Sequence, residues 1–449
     1  MARRGVSVAF PQVERVPARG ESVLRKRPVV LILEPTVPPA PLPRIPPRVS
    51  RVTTPSVPQE PLSTSRLWFG VTVAAFAALN LQLITATGAV VSDDVGGTVK
   101  LYHVVFVGLL VLILARRAVV RWRGEVLLYF LVTSLTGAVA YFVFGARPLL
   151  VNLLFCGYTV VIGAMLGRVL GSERALAAVR FAAAALLAAV LIKALLYFRV
   201  FVAFFAAPIN HPQIPFFYGG GPNLEATWVA LAGALFVGTR FFFPYSLASF
   251  VVATLYASRA GVVVAFLVLG GGGLYYLFNL KITPAVRVLI IGALCAGAAS
   301  LLTVVAISAS DAPAAAYMVE RFSSIGDEPG SVGRLRLWAG GVQVFQRYPF
   351  GVGQGNAVLE VEHELGTNLP EDNLHNLFLQ HLVESGIQGL LVYLIFCGMT
   401  IARLTRSRFR DPLLLYACVY MAVGAIQFRG AEAIFWFVYS LGMGSANNQ

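Results

Sequence analysis

The stretch HNLFLQHLVESGIQGLL (375–391) sets an imidazole at the mouth of an apolar run. The polar and acidic LPEDN (369–373) comes just before it, so a helix is expected to begin here, with Asp372 or Asn373 as its N-cap. The positive end of a helix disfavours an imidazolium, and a neutral imidazole is what a general base needs. His375 is therefore a candidate base. Taken alone, a plainer role comes first: anchoring the membrane interface or capping a turn. Arg259 lies between two other apolar runs. A charge so near a bilayer is costly and points to a function unless the side chain snorkels to the headgroups. A guanidinium can hold a phosphate through two parallel hydrogen bonds. Arg334 and Arg336 stand two residues apart on one helical stretch and so point in different directions.

The elements that must position these residues are membrane helices. Of 449 residues, 57% are hydrophobic and 12% charged, and the mean hydropathy is +0.75. Many apolar runs approach the roughly 20 residues that a helix needs to cross a bilayer, and they are continuous rather than alternating. The expected class is an all-α polytopic membrane protein of about twelve transmembrane helices, at 67–91, 101–115, 125–144, 148–167, 175–198, 223–239, 243–257, 260–279, 285–307, 376–402, 412–428 and 431–444. Residues 1–64 differ: proline-rich, basic and poor in aromatics, they read as a disordered tail.

The +14 net charge is not that of a nucleic-acid binder, because the arginines sit in the tail and in short loops. RRAVVRWR (116–123), GRVLGSER (167–174), NLKITPAVR (279–287) and RLTRSRFR (403–410) all fall on the side of the N-terminus. The positive-inside rule makes that side cytoplasmic, with both termini there. The loop 308–374 falls on the other side, and its four arginines and nine acids sum to −5. Within it, Leu335, Leu337, Trp338, Val342 and Phe345 are spaced for an amphipathic helix on the membrane surface, ended by the turn RYPFGVGQGN.

His375-Asn376, nine residues, then Gly386-Ile387-Gln388-Gly389 resembles the signature of the O-antigen ligase and polymerase family, membrane glycosyltransferases that take glycans from a polyprenyl-pyrophosphate carrier. GRLRLWAGGVQVFQRYPFGVGQGN (333–356) resembles that family's Arg-x-x-x-Trp helix and Pro-x-Gly-x-Gly turn. Tyr256-Ala257-Ser258-Arg259-Ala260-Gly261 is similar to its Ser-Arg-Gly motif, here with Ala-Gly after the arginine, and GGGPNLEATWVALAGALF (219–236) to its Pro-Asn element. The matches run in order over about 220–390, while residues 1–200 match in hydropathy only. The resemblance implies a fold of the GT-C kind in a bacterial inner membrane, with the active site extracytoplasmic. It implies His375 as base, Arg259 and Arg334 on the pyrophosphate, a lipid-linked glycan donor, and a glycolipid or glycan acceptor such as a lipid A core. Arg336 is read first as a headgroup or solvent contact. Asn376 is a candidate sugar or acceptor contact, and Asn223 is balanced between that role and an N-cap. Gly386 and Gly389 are expected to let the helix after His375 pack closely and fix its position.

His211, His363 and His381 are weaker candidates; His381, six residues past His375, points roughly 240° away around the helix. No HExxH, paired-cysteine or Asp-x-Asp motif occurs, so no metal or cofactor is expected. Cys156, Cys295, Cys397 and Cys418 lie in apolar runs and read as small buried hydrophobes. GGGG (270–273) lacks the Lys-Ser/Thr of a phosphate loop and reads as a close helix contact. A polymerase of lipid-linked repeat units, a protein-glycosylating relative, a flippase or transporter, and a membrane scaffold are the rival readings. Transport is disfavoured because the membrane interiors are expected to hold almost no acids, with Lys193 the main interior cation near the outer end of its run, while Arg259, Arg334 and His375 gather on one face.

Overall fold

A computed structural model describes residues 62–81, 100–115, 122–144, 149–206, 214–218, 221–279, 329–367, 373–427 and 432–443, with positions 283, 286, 317 and 369 besides. These belong to the second of two units, Glu60–Gln449. The proline-rich tail, the run 285–307 apart from Val286, His211 and Cys295 lie outside the described residues.

The described elements are helices: α1 (Leu62–Asn80), α2 (Leu101–Ala115), α3 (Gly124–Phe144), α4 (Leu149–Leu170), α5 (Ser172–Leu196), α6 (Phe198–Ala206), α7 (Gly221–Ala232), α8 (Phe242–Leu255), α9 (Arg259–Asn279), α10 (Pro329–Arg347), α11 (Ala357–Leu365), α12 (Leu377–Arg406), α13 (Pro412–Val423) and α14 (Ala433–Leu441). A 3₁₀ turn, Gly233–Phe236, extends α7. Among the described residues, five helices are long and apolar enough to cross a membrane: Gly124–Val143, Leu153–Leu170, Ser172–Leu196, Arg259–Asn279 and Leu377–Arg406. The other described runs form shorter helices.

In lipid, apolar side chains gain little by leaving the solvent, so close fit and small residues decide which helices pair. On α4, a Cβ at Gly163 would lie 2.6 Å from the Phe437 carbonyl oxygen, and one at Gly167 would lie 2.0 Å from that of Leu441. The backbone of α14 therefore rests directly on α4. In the GGGG run, Gly271 meets Leu415 and Gly272 meets the Phe242 ring, whereas Gly270 and Gly273 face open space. The close-contact reading holds for the middle pair.

The described residues at the edges of the basic loops meet at one end of the helices. Arg123 donates to the Tyr439 hydroxyl (3.3 Å) and the Gly442 carbonyl (3.2 Å). Arg403 pairs with Glu125 and also reaches the Tyr439 hydroxyl (3.4 Å). Asn279 bonds both Arg410 and the Arg408 carbonyl, and Arg174 donates to Ser65 at the start of α1 (2.9 Å). At the other end α1 finishes at Asn80, bonded by the Tyr218 hydroxyl, and α7, α9 and α12 begin. That second end holds the candidate site.

Candidate functional site

At that end, α12 begins through a turn that differs from the expected one. Its N-cap is Asn376, whose side-chain oxygen accepts the Leu379 N–H (3.0 Å), and not Asp372 or Asn373. Asn373 makes a tighter local turn, accepting the His375 N–H at 2.8 Å. His375 is thus the residue just before the cap, with a left-handed backbone (φ 51°). Such a conformation is uncommon for a residue with a Cβ, though histidine is among the types that adopt it more often. The capping bond takes one lone pair of the Asn376 oxygen, so its second lone pair and its amide NH₂ remain for a ligand.

Three further contacts fix the turn. The Trp338 indole N–H donates to the Leu374 carbonyl (2.8 Å), tying α10 to the residue before His375. The Leu374 N–H donates to Gln380 Oε1 (2.9 Å), and Gln380 in turn donates to buried Glu384 (2.5 Å). Leu377 N–H donates to the Gly424 carbonyl at the end of α13 (2.6 Å). The Arg-x-x-x-Trp spacing thereby gains a physical meaning: its tryptophan pins the His375 turn, and Arg334 lies one turn earlier on the same helix. Arg334 is half-buried and Arg336 exposed.

The expected surface helix is instead packed on protein. Leu337 and Val344 are buried, with Trp338 and Phe345 packed on their cluster against α11 and α12, while Leu335 and Val342 are exposed. A Cβ at Gly340 would come within 2.6 Å of Val361 on α11, a helix unforeseen in the sequence.

The glycines have separate duties. Helix α12 is broken at Gly386 (φ 68°, ψ −170°), a break the apolar run did not announce. The Pro-Gly turn after α10 fills it: Val352 N–H bonds the Val383 carbonyl (3.0 Å), Gly353 N–H that of Glu384 (2.8 Å), and Ile387 N–H that of Pro349 (3.0 Å). Gly355 N–H reaches the Glu384 carboxylate (2.8 Å). A Cβ at Gly351 would lie 2.5 Å from Glu384 O, and one at Gly386 would lie 2.4 Å from Phe350 C. Gly386 therefore packs against a neighbour as expected. Gly389 does not: its Cβ would meet Ser385 of its own helix, because the break turns the chain back on itself.

Arg259 sits in a second group. At the end of α8, Ala257 takes a left-handed conformation (φ 50°), and Ser258 N–H returns to the Ala253 carbonyl (2.9 Å) while Ala257 N–H returns to that of Thr254 (2.9 Å). This is a Schellman stop with alanine where glycine is usual. Ser258 then caps α9, its oxygen accepting the Gly261 N–H (3.1 Å). Gly261 lets α7 close in, since its Cβ would be 2.7 Å from that of Ala226. Arg259 is left as the first residue of α9, half-buried at its positive end. Asn223 is beside it: its carbonyl accepts from Ser258 (3.5 Å) and Thr227 (2.6 Å). Because α7 starts at Gly221, Asn223 lies inside the first turn and is not the N-cap.

Under this group lies a buried charge pair that sequence reasoning left unpaired. Glu225, fully buried, accepts from Lys193 of α5, from the Phe217 N–H (2.5 Å) and from the Tyr256 hydroxyl (2.7 Å). The Lys193 ammonium also stands 4.4 Å from the Phe217 ring centroid. Glu225, Glu384 and Glu125 are all buried, which corrects the expectation that the apolar runs hold almost no acids. Each stood out in the sequence as a charge in or at the edge of an apolar run. No local signal joins Lys193 to a carboxylate 32 residues away.

The two groups are bridged by α13, which packs on α7, α9 and α12. His381 belongs to neither: it is buried between the rings of Tyr129 (5.4 Å) and Tyr393 (4.4 Å). His363 is exposed on α11.

A family model described as O-antigen ligase matches residues 244–394. That segment runs from α8 into α12, so it contains Arg259, Arg334, Arg336, His375, Asn376 and both motif glycines, and leaves out Asn223, Glu225 and Lys193. No curated protein matches the chain.

Proposed function

We propose that this chain, whose residues 244–394 match a family model described as O-antigen ligase, moves a glycan from a polyprenyl-pyrophosphate carrier to the hydroxyl of a glycolipid acceptor such as a lipid A core. The observation that carries the reading is the convergence of the family segment's ordered motifs on one end of the helices, opposite the basic loops. In this reading the acceptor hydroxyl gives its proton to the His375 imidazole as its oxygen attacks the anomeric carbon. The bond from that carbon to the pyrophosphate oxygen breaks. Polyprenyl pyrophosphate leaves with its charge held by Arg259 and Arg334, preorganised at a helix start and on a packed helix. Pyrophosphate is already a good leaving group, so two guanidinium groups suffice in place of a metal. In the same reading Asn376, Asn223 and Arg336 are the candidate sugar or acceptor contacts.

The reading further takes the chain as about twelve spans of a bacterial inner membrane, with the site end extracytoplasmic and both termini cytoplasmic; the separation of the basic loops from the motif end supports that orientation. The loop 308–374 then covers the site through α10 and α11. The test is transfer by the purified chain from a polyprenyl-pyrophosphate oligosaccharide, with and without a lipid A core acceptor. Transfer that needs the core, and that His375→Ala abolishes, is expected. Ladders of longer lipid-linked glycan formed without the core would make the chain a polymerase instead. Equal product from His375→Ala would remove His375 from the chemistry.

A further inference from the structure

None of the candidate site residues lines the groove of about 630 Å³ that α5 and the segment from Phe236 to Tyr245 leave. Its volume is within the roughly 300–1,000 Å³ of small-molecule sites. Ala177, Ala184 and Ala188 form one wall, the exposed rings of Phe181 and Phe241 rim it, and Tyr245 closes the other side. The lining is apolar except for Thr239, Arg180 and Arg240, and none of it is acidic.

The arginines sit at one end of the groove. Arg180 donates through Nε to the Leu235 carbonyl (2.5 Å) and through Nη2 to that of Val237 (3.4 Å), which satisfies the open end of the 3₁₀ turn. Nη1 and the second Nη2 hydrogen have no partner among the described residues, so three N–H donors remain beside the groove. Arg240 is exposed, its guanidinium 4.8 Å from the Phe241 ring centroid. Ala177 to Leu191 span about 21 Å along α5 at 1.5 Å per residue, enough for an extended chain to lie against.

We infer that this groove holds one anionic phospholipid of the adjacent leaflet, its acyl chain along α5 and its phosphate between Arg240 and Arg180. The charge complementarity selects this occupant: a lipid without phosphate leaves two cations unanswered, and a zwitterionic one brings a second cation to a lining that holds no acid to meet it. Basic pockets between membrane helices bind anionic headgroups for the same reason. The site is separate from the transfer chemistry and stands whether or not that reading holds.

The test is native mass spectrometry of the full chain loaded with phosphatidylglycerol or phosphatidylcholine. One phosphatidylglycerol is expected to survive activation that strips phosphatidylcholine, with a preference of about fivefold for the Arg240 contact. Arg240→Ala should erase that preference while still admitting lipid. Ala184→Phe, which fills the channel, should lose the retained lipid of either kind. Soluble glycerol 3-phosphate should not compete, because it lacks the chain. Equal retention of the two lipids by the wild type, or unchanged retention in both variants, overturns the assignment.

Discussion

At the scale of single residues, the two motif sites share a device. His375 and Ala257 each adopt a left-handed backbone immediately before a helix start, and each start carries a side-chain cap, Asn376 or Ser258. Such conformations cost about 1–3 kcal/mol and persist only where the surroundings hold them. Here Trp338, Gln380 and Asn373 do so for His375, and the Schellman bonds do so for Ala257, two residues before Arg259. If Arg259 holds the leaving group, Arg259→Ala should cut the initial transfer rate by about 10²–10³-fold. Arg259→Lys should fall between, because an ammonium keeps the charge but loses the two-pronged bond. Equal rates for lysine and wild type would show that charge alone matters. The residue types and their order were legible in the sequence. The left-handed turn was not, since it depends on Asn373 and Trp338 reaching it.

At the scale of elements, the break in α12 and the Pro-Gly turn that fills it are one structure made from two distant segments. Gly351→Ala places a Cβ at φ 92° against backbone, where neither side can yield. It should destabilise the protein by about 1–3 kcal/mol and slow transfer, read by thermal unfolding and by rate. Gly398→Ala, facing open space on α12, should leave both unchanged and is the control. The Lys193–Glu225 pair makes a second case. Lys193→Met leaves a buried carboxylate alone and should cost about 3–5 kcal/mol, whereas Lys193→Met with Glu225→Leu should recover most of the loss. A single variant that unfolds at the wild-type temperature would mean that Glu225 is held by Tyr256 and Phe217 alone. Apolar periodicity announced the helices but not the break, because an internal glycine in an apolar run reads alike whether the helix bends there or not.

At the scale of the whole molecule, the arginine loops at one end and the motifs at the other give the chain a polarity along the membrane normal. The reading that the motif end is extracytoplasmic predicts labelling from outside. In a cysteine-free background, Glu360→Cys should react with a membrane-impermeant maleimide on intact cells, and Ser407→Cys should react only after permeabilisation. The reverse pattern would invert the proposed orientation and with it the side on which the donor is used.

By itself the sequence determined the class, the apolar runs, the charge asymmetry and the order of the family motifs, because these follow from composition and local spacing. Bilayer thickness and the positive-inside bias act on stretches of chain, one at a time. Only the tertiary structure decided what the motifs do for one another. The Trp338 indole bonds the Leu374 carbonyl, Gly351 and Gly386 are small so that two backbones can touch, and Lys193 finds Glu225. Each is a contact between segments far apart in the chain. Its energy comes from desolvation and close approach that exist only once the helices have met.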